Sequence, residues 1–314
     1  MNSQNIEGSR ALLSSSWLFF KSHWQVLVSI VVIPNVLNYV ASLFLQTGTP
    51  VTVFFGAFIS IGAMILSVAM AAAVVRSVQT LSSDSTQALS VKTQYKIGFG
   101  YFWSLVFLAL ISGLATMGGF MLLVVPGIIV SVYGSMYAYA LIIDGKKGFS
   151  ALTESYSLVY GRWSAVFGRL FILAAVAVII QIVFSGIYFL IALLFGVNIY
   201  SIAAAHAQLP VLITLVGFVF NLAVQAVVGP IAIIYTYRLY LSLKATRQAE
   251  VSAGTFKRWL VALMIIGPIL FILSIVALVT IVGLSAMKHA QQLAQQQAQL
   301  QQSITQIKSL TPTR

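Results

Sequence analysis

The chain has 314 residues, 60% of them hydrophobic and 7% charged, with a net charge of +12 and a mean hydropathy of +1.00. Soluble globular chains carry charge on about a quarter of their residues, so this composition excludes a soluble domain and makes the bilayer the solvent. The absence of cysteine excludes disulfides, thiolate metal sites and cysteine nucleophiles.

The charges are partitioned. All five acidic residues and all but three of the seventeen basic ones lie in short segments on one side of a series of long apolar blocks. In hydrocarbon every backbone N–H and C=O must be paired within the protein, and about twenty apolar residues cross the roughly 30 Å core as a helix. The alternation over about ten positions that marks a transmembrane strand is missing. The expected fold is all-α, a polytopic transmembrane helix bundle of about seven spans.

In chain order the spans fall at 24–45, 51–75, 102–125, 128–143, 164–195, 210–236 and 259–285. The connections 46–50 and 196–209, and the break at Val125-Pro126-Gly127, contain no Lys, Arg, Asp or Glu. The N-terminal segment instead carries Arg10 and Lys21, and the 76–101 segment Arg76, Lys92 and Lys96. The 144–169 segment carries Lys146, Lys147, Arg162 and Arg169, and the 238–258 segment Arg238, Lys244, Arg247, Lys257 and Arg258. The positive-inside rule places these segments in the cytoplasm. Lys288, Lys308 and Arg314 alone follow the last span, so a cell-membrane protein with a cytoplasmic N-terminus and an outside C-terminus is expected. No small-residue cleavage pattern ends the first apolar block, so it reads as a retained span. The chain divides into a six-span membrane domain (1–247), an added seventh span (248–287) and a Gln-rich polar tail (288–314).

Three segments beside the spans are amphipathic. Phe149, Leu152, Tyr156, Val159, Tyr160 and Trp163 follow a helical period, with Ser150, Thr153, Glu154 and Ser157 opposite. Ala88, Val91, Tyr95, Phe99 and Phe102 repeat the pattern beside Lys92 and Lys96, and Leu13, Trp17, Phe20 and Trp24 form a shorter example. Such helices lie in the headgroup layer, with aromatic groups at the boundary and cations reaching phosphates. Lys92, Lys96, Lys146, Lys147, Arg162 and Trp163 are the headgroup candidates, at about 1 kcal/mol per cation near the surface. Anionic lipid is therefore the expected partner. Nucleic acid, the usual reading of such a charge in a soluble chain, is not expected. Aligning Ala88-Leu89 with Ala151-Leu152 brings Gly98 onto Gly161, and Ala11-Leu12 begins the same way. The alignment suggests an interfacial helix plus hairpin used three times.

Reactive chemistry is sparse. The centres of the spans hold no Asp, Glu or Lys, which counts against a proton-driven pump. His23, His206 and His289 are far apart and lack a second ligand at i+3 or i+4, and no nucleotide fingerprint occurs. No metal, cofactor or catalytic residue is expected, and the chain reads as non-enzymatic. Asp144 and Glu154 form an imaginable carboxylate pair, for which helix capping and ordinary solvated charge are the better readings. Polar stripes are more informative: Gly217, Asn221, Gln225 and Gly229 share a face before Pro230, Asn35, Asn38 and Ser42 share one beside Pro34, and Ala177, Gln181, Ser185 and Tyr188 share a third. Asn35, Asn38, Gln181, Asn221 and Gln225 serve either helix packing or a polar cavity. Pro126-Gly127 reads as a hairpin tip or as an unwound site within a broken helix. Beyond the last span Ala286, Ala290, Leu293, Gln297, Leu300, Ile304 and Ile307 step as a heptad. This tail is either a helix that associates with a protein partner or with itself, or a polar segment without structure.

The run Pro126-Gly127-Ile128, Asp144, Ala151-Leu152, Ser155, Leu158, Gly161 and Trp163 resembles the membrane domain found in some bacterial glycerophosphoryl diester phosphodiesterases, and related stand-alone bacterial integral membrane proteins. The resemblance is most specific over 120–170 and extends from about 8 to 247. It implies a six-helix bundle with cytoplasmic interfacial helices. Catalysis in that family belongs to a separate soluble barrel that this sequence does not contain, so no catalytic residue carries over. A lipid-interacting or scaffolding role is expected, with a facilitator for a small or amphiphilic solute as the alternative.

Overall fold

The computed structural model describes residues 6–84, 89–195, 211–247 and 254–310, and its regular structure among these residues is helical. The helices are α1 (Ser9–Gln46), α2 (Pro50–Ser83), α3 (Val91–Gly100), α4 (Phe102–Leu122), α5 (Val124–Gly134), α6 (Tyr137–Ile142), α7 (Phe149–Val159), α8 (Trp163–Leu194), α9 (Val211–Ala245) and α10 (Gly254–Leu310). Among the described residues, seven segments are long and apolar enough to cross a membrane: α1, α2, α4, the α5–α6 pair, α8, α9 and α10. The chain is an all-α, multi-pass integral membrane protein. The expected connection at 196–209 and Ala88 lie outside the described residues.

Local chemistry explains where the helices bend. A non-helical His23 (φ −128°, ψ 20°) divides the amphipathic start of α1 from its span. Its ring Nδ1 lies 2.8 Å from the Ser22 hydroxyl. Further along, Pro34 has no N–H, so the carbonyl of Ile30 loses its helical partner. The buried Tyr95 hydroxyl, from α3, donates to that carbonyl at 2.6 Å. One proline thereby fixes where a short helix docks. The second span runs well past the expected end at residue 75, to Ser83. Its Ala-rich sequence holds no Gly or Pro after Gly62, so nothing stops the helix. Arg76, expected in a loop, sits on it and donates to Gln79 Oε1 at 2.7 Å.

The α4–α5 reversal corrects the expected hairpin tip. The chain turns at Leu123, which is extended (φ −167°, ψ 160°). Pro126 instead lies in the first turn of α5, where a missing N–H costs no helical bond. Gly127 packs its backbone against Gly119: a Cβ on Gly119 would meet the Gly127 Cα at 2.8 Å. The return span then breaks between α5 and α6. The Ser155 hydroxyl of α7 fills the break, donating to the Tyr133 carbonyl at 2.6 Å and accepting from the Met136 N–H at 3.0 Å.

At the centre α1, α2 and α9 pack on one another, burying Leu27, Ile30, Val74, Ile234 and Tyr235. The α4–α6 hairpin leans on this group and α7 wedges beneath it. Outermost are α8, whose buried residues are Val166 and Ala192, and α10, which packs on α4. The sequence alignment of Gly98 with Gly161 has no structural counterpart. Gly161 takes a positive φ of 73° between α7 and α8, while Gly98 is helical and so close to α2 that a Cβ would meet the Ala69 carbonyl oxygen at 2.2 Å.

Candidate functional site

The charged segments gather at one end of the bundle. The Glu7 N–H donates to Ser242 Oγ at 3.0 Å, so the start of α1 shares that end with the end of α9. Arg169 ties the same N-terminal segment down, its guanidinium donating to the carbonyls of Glu7 (2.7 Å), Ile6 (2.9 Å) and Ala165 (2.8 Å). Cations at this end divide into two populations.

The first population staples helices. Asp144, after α6, accepts from Tyr240 Oη and Lys244 Nζ, each at 2.6 Å. Glu154 on α7 accepts from Arg247 at 2.9 Å, and the same guanidinium reaches Ser157 Oγ at 3.3 Å. Glu154 is therefore buried, at 9% exposure, and not on a solvated face of the amphipathic helix. Neither carboxylate is a helix cap or a free charge: Asp144 is bound to Lys244 in the last turn of α9, and Glu154 to Arg247 just beyond it. Arg162 donates to the Thr246 hydroxyl (2.6 Å) and carbonyl (3.0 Å) and to the carbonyls of Leu243 (3.3 Å) and Leu158 (3.0 Å). These carbonyls end α9 and α7, where a cation suits both the unpaired acceptors and the helix dipole. Burial pushes Arg162 below the usual arginine value, yet its contacts all favour the charged form.

The second population is free. Lys92 and Lys96 on α3, and Lys146 and Lys147 between α6 and α7, are exposed, and none of their side-chain ammonium groups has a hydrogen-bond or ion-pair partner among the described residues. Trp17, Trp24, Phe99 and Tyr160 are exposed. Trp163 stacks on Phe167 at 5.0 Å and its Nε1 donates to the Ile129 carbonyl at 3.4 Å. Of the sequence-predicted headgroup residues, four lysines are available to a ligand while Arg162 is committed to the protein.

Two of the polar-stripe residues bond within their own helices and three are exposed. Asn35 donates to the Val31 carbonyl of its own helix at 2.8 Å, and Gln181 to Ser185 Oγ at 3.2 Å. Asn38, Asn221 and Gln225 are exposed. A groove of about 720 Å³ opens elsewhere, between α4 and the α5–α6 pair, where Ser112, Thr116, Ser131, Ser135 and Tyr137 contribute hydroxyls. Ser131 and Ser135 turn theirs back to the carbonyls of Ile128 and Val132, both at 2.8 Å. None of the stripe residues lines this groove. Hydroxyl residues every few positions on facing helices were the sequence signal for it. The ion pairs, by contrast, span about a hundred residues and leave no local pattern.

No family model, no curated protein and no solved structure matches the chain.

Proposed function

We propose that the chain is a non-enzymatic membrane protein that gathers anionic lipid at its charged end and presents that end as a scaffold. The observation that carries this reading is the division of cations. Arg162, Arg169, Lys244 and Arg247 are consumed in holding helices together, whereas Lys92, Lys96, Lys146 and Lys147 are exposed, as are Trp17, Trp24 and Tyr160. Cations beside aromatic residues at a membrane boundary suit phosphate headgroups. On this reading the charged end is cytoplasmic, the membrane is the cell membrane, and the likeness of 120–170 to the phosphodiesterase-associated membrane domain supplies a membrane role without chemistry.

Replacing the four lysines by alanine tests it. At about 1 kcal/mol for each, retention of anionic lipid on the purified protein in native mass spectrometry should fall by two orders of magnitude or more, with zwitterionic lipid unaffected. Unchanged retention overturns the reading. A second reading, a facilitator for an amphiphilic solute, is favoured by the hydroxyl-lined groove between α4 and α5–α6. Liposome flux that is lost in Thr116→Val and Ser135→Ala would select it, and absence of flux in the unmodified protein rejects it.

A further inference from the structure

The outward face of α10 has a periodicity that the lipid reading leaves unused. This helix runs unbroken for 57 residues, about 86 Å at 1.5 Å per residue, against a hydrocarbon core of about 30 Å. One side is spoken for: Phe256, Leu260 and Leu263 are buried, and Gly267 meets Gly118 of α4 backbone to backbone. On the opposite side Ile265, Ile269, Ile272, Val276 and Val279 are all more than half exposed. They step by four and three residues, and the same steps continue through Gly283 into the tail series that begins at Ala286. A single heptad register therefore runs from the membrane into the Gln-rich helix.

We infer that this stripe is the seam by which a second copy of the chain pairs, as a parallel, in-register helix dimer. In the membrane part β-branched residues fill both seam positions. Gly283, Ala286 and Ala290 then let two backbones approach where the helix leaves the hydrocarbon. In the tail the d positions are Leu293, Leu300 and Ile307, while Gln297 is a lone polar residue at a, the device that sets register in parallel pairs. Neighbouring stripes do not continue: the one shifted by a residue passes from Leu284 and Met287 to Gln291, Ala294, Ala298 and Gln301. The charge pattern suits a like partner, because Lys288 falls at the outermost f position and the tail's e and g positions from Ala294 to Ser303 are uncharged. Leu293, 60% exposed, stands where lipid cannot cover it, and a lone helix in water is marginal. Two copies in one membrane share orientation and depth, so their tails start level. Counted with their e and g flanks, the thirteen seam positions from Ile265 to Ile307 make about 25 residues per partner, within the range a standard interface of roughly 800 Å² per partner uses.

The natural lack of cysteine makes the test clean. Single-cysteine variants of the full chain are oxidised in the membrane with copper phenanthroline, comparing seam positions Val279→Cys and Leu293→Cys with their exposed neighbours Leu278→Cys and Gln292→Cys. Seam variants should form covalent dimers on the order of tenfold faster, through the high local concentration of the paired thiol. Leu300→Asp with Ile304→Asp, outside the bundle, should remove that preference and convert two copies to one in native mass spectrometry. Equal cross-linking at seam and neighbour positions, cross-links only to a different protein, or a single copy in the unmodified chain overturns the inference.

Discussion

The carbonyl of Ile30 and the hydroxyl of Tyr95 show how single residues hold this bundle together. Pro34 frees the carbonyl, and the buried phenol satisfies it. Tyr95→Phe leaves that acceptor unpaired and should lower stability by about 1–2 kcal/mol, measured by thermal unfolding in detergent. Burial pushes the Tyr95 phenol from its usual 10.0 up to about 12. The folded value is the higher one, so its contribution is whole below pH 10 and is lost as pH rises through 12. The phenylalanine variant should therefore show a smaller loss of stability across that window. Glu154 is a second case. Arg247→Ala strands a buried carboxylate and should destabilise by about 1–3 kcal/mol. Adding Glu154→Gln should restore part of the loss, a non-additivity that a double-mutant cycle reads directly. The amphipathic period over 149–163 was legible, but it put Glu154 on the solvated side, because a period cannot show that a cation ninety residues later lies opposite.

Between elements, glycine makes several close approaches. Consecutive Gly118 and Gly119 serve different neighbours: Gly119 admits α5, and Gly118 admits α10, where a Cβ would meet the Leu263 carbonyl oxygen at 2.2 Å. Without room for a side chain, Gly118→Leu should push α10 off α4. Electron–electron resonance between spin labels at Ala109 and Val261, both exposed, should report a longer and broader separation. An unchanged distance distribution would show that the crossing does not hold α10 in place. The α4–α5 turn followed a related logic. Proline and glycine marked the neighbourhood of the reversal in sequence, but they serve the first turn of the following helix, and the extended residue Leu123 makes the turn.

Across the whole molecule, the seven candidate spans among the described residues are an odd number, so the orientation proposed above puts the termini on opposite faces. With the basic segments cytoplasmic, a C-terminal tag should react with an impermeant reagent in intact cells and an N-terminal one only after lysis. Labelling of both from one side would remove a span. The existence and order of the spans were determined by sequence alone, because hydrocarbon forces every long apolar block into a helix whatever surrounds it. Charge partition likewise marked which end of the bundle carries the lysines. Tertiary structure decided which of those cations are available: Arg162 and Lys92 look alike in sequence, yet one is bound to the ends of α7 and α9 and the other is exposed. It also decided that Asn35 and Gln181 satisfy their own helices and that the hydroxyl groove opens between α4 and α5–α6. The physical reason is range: burial of apolar blocks acts on each segment by itself, whereas an ion pair or a groove exists only once distant segments are brought together.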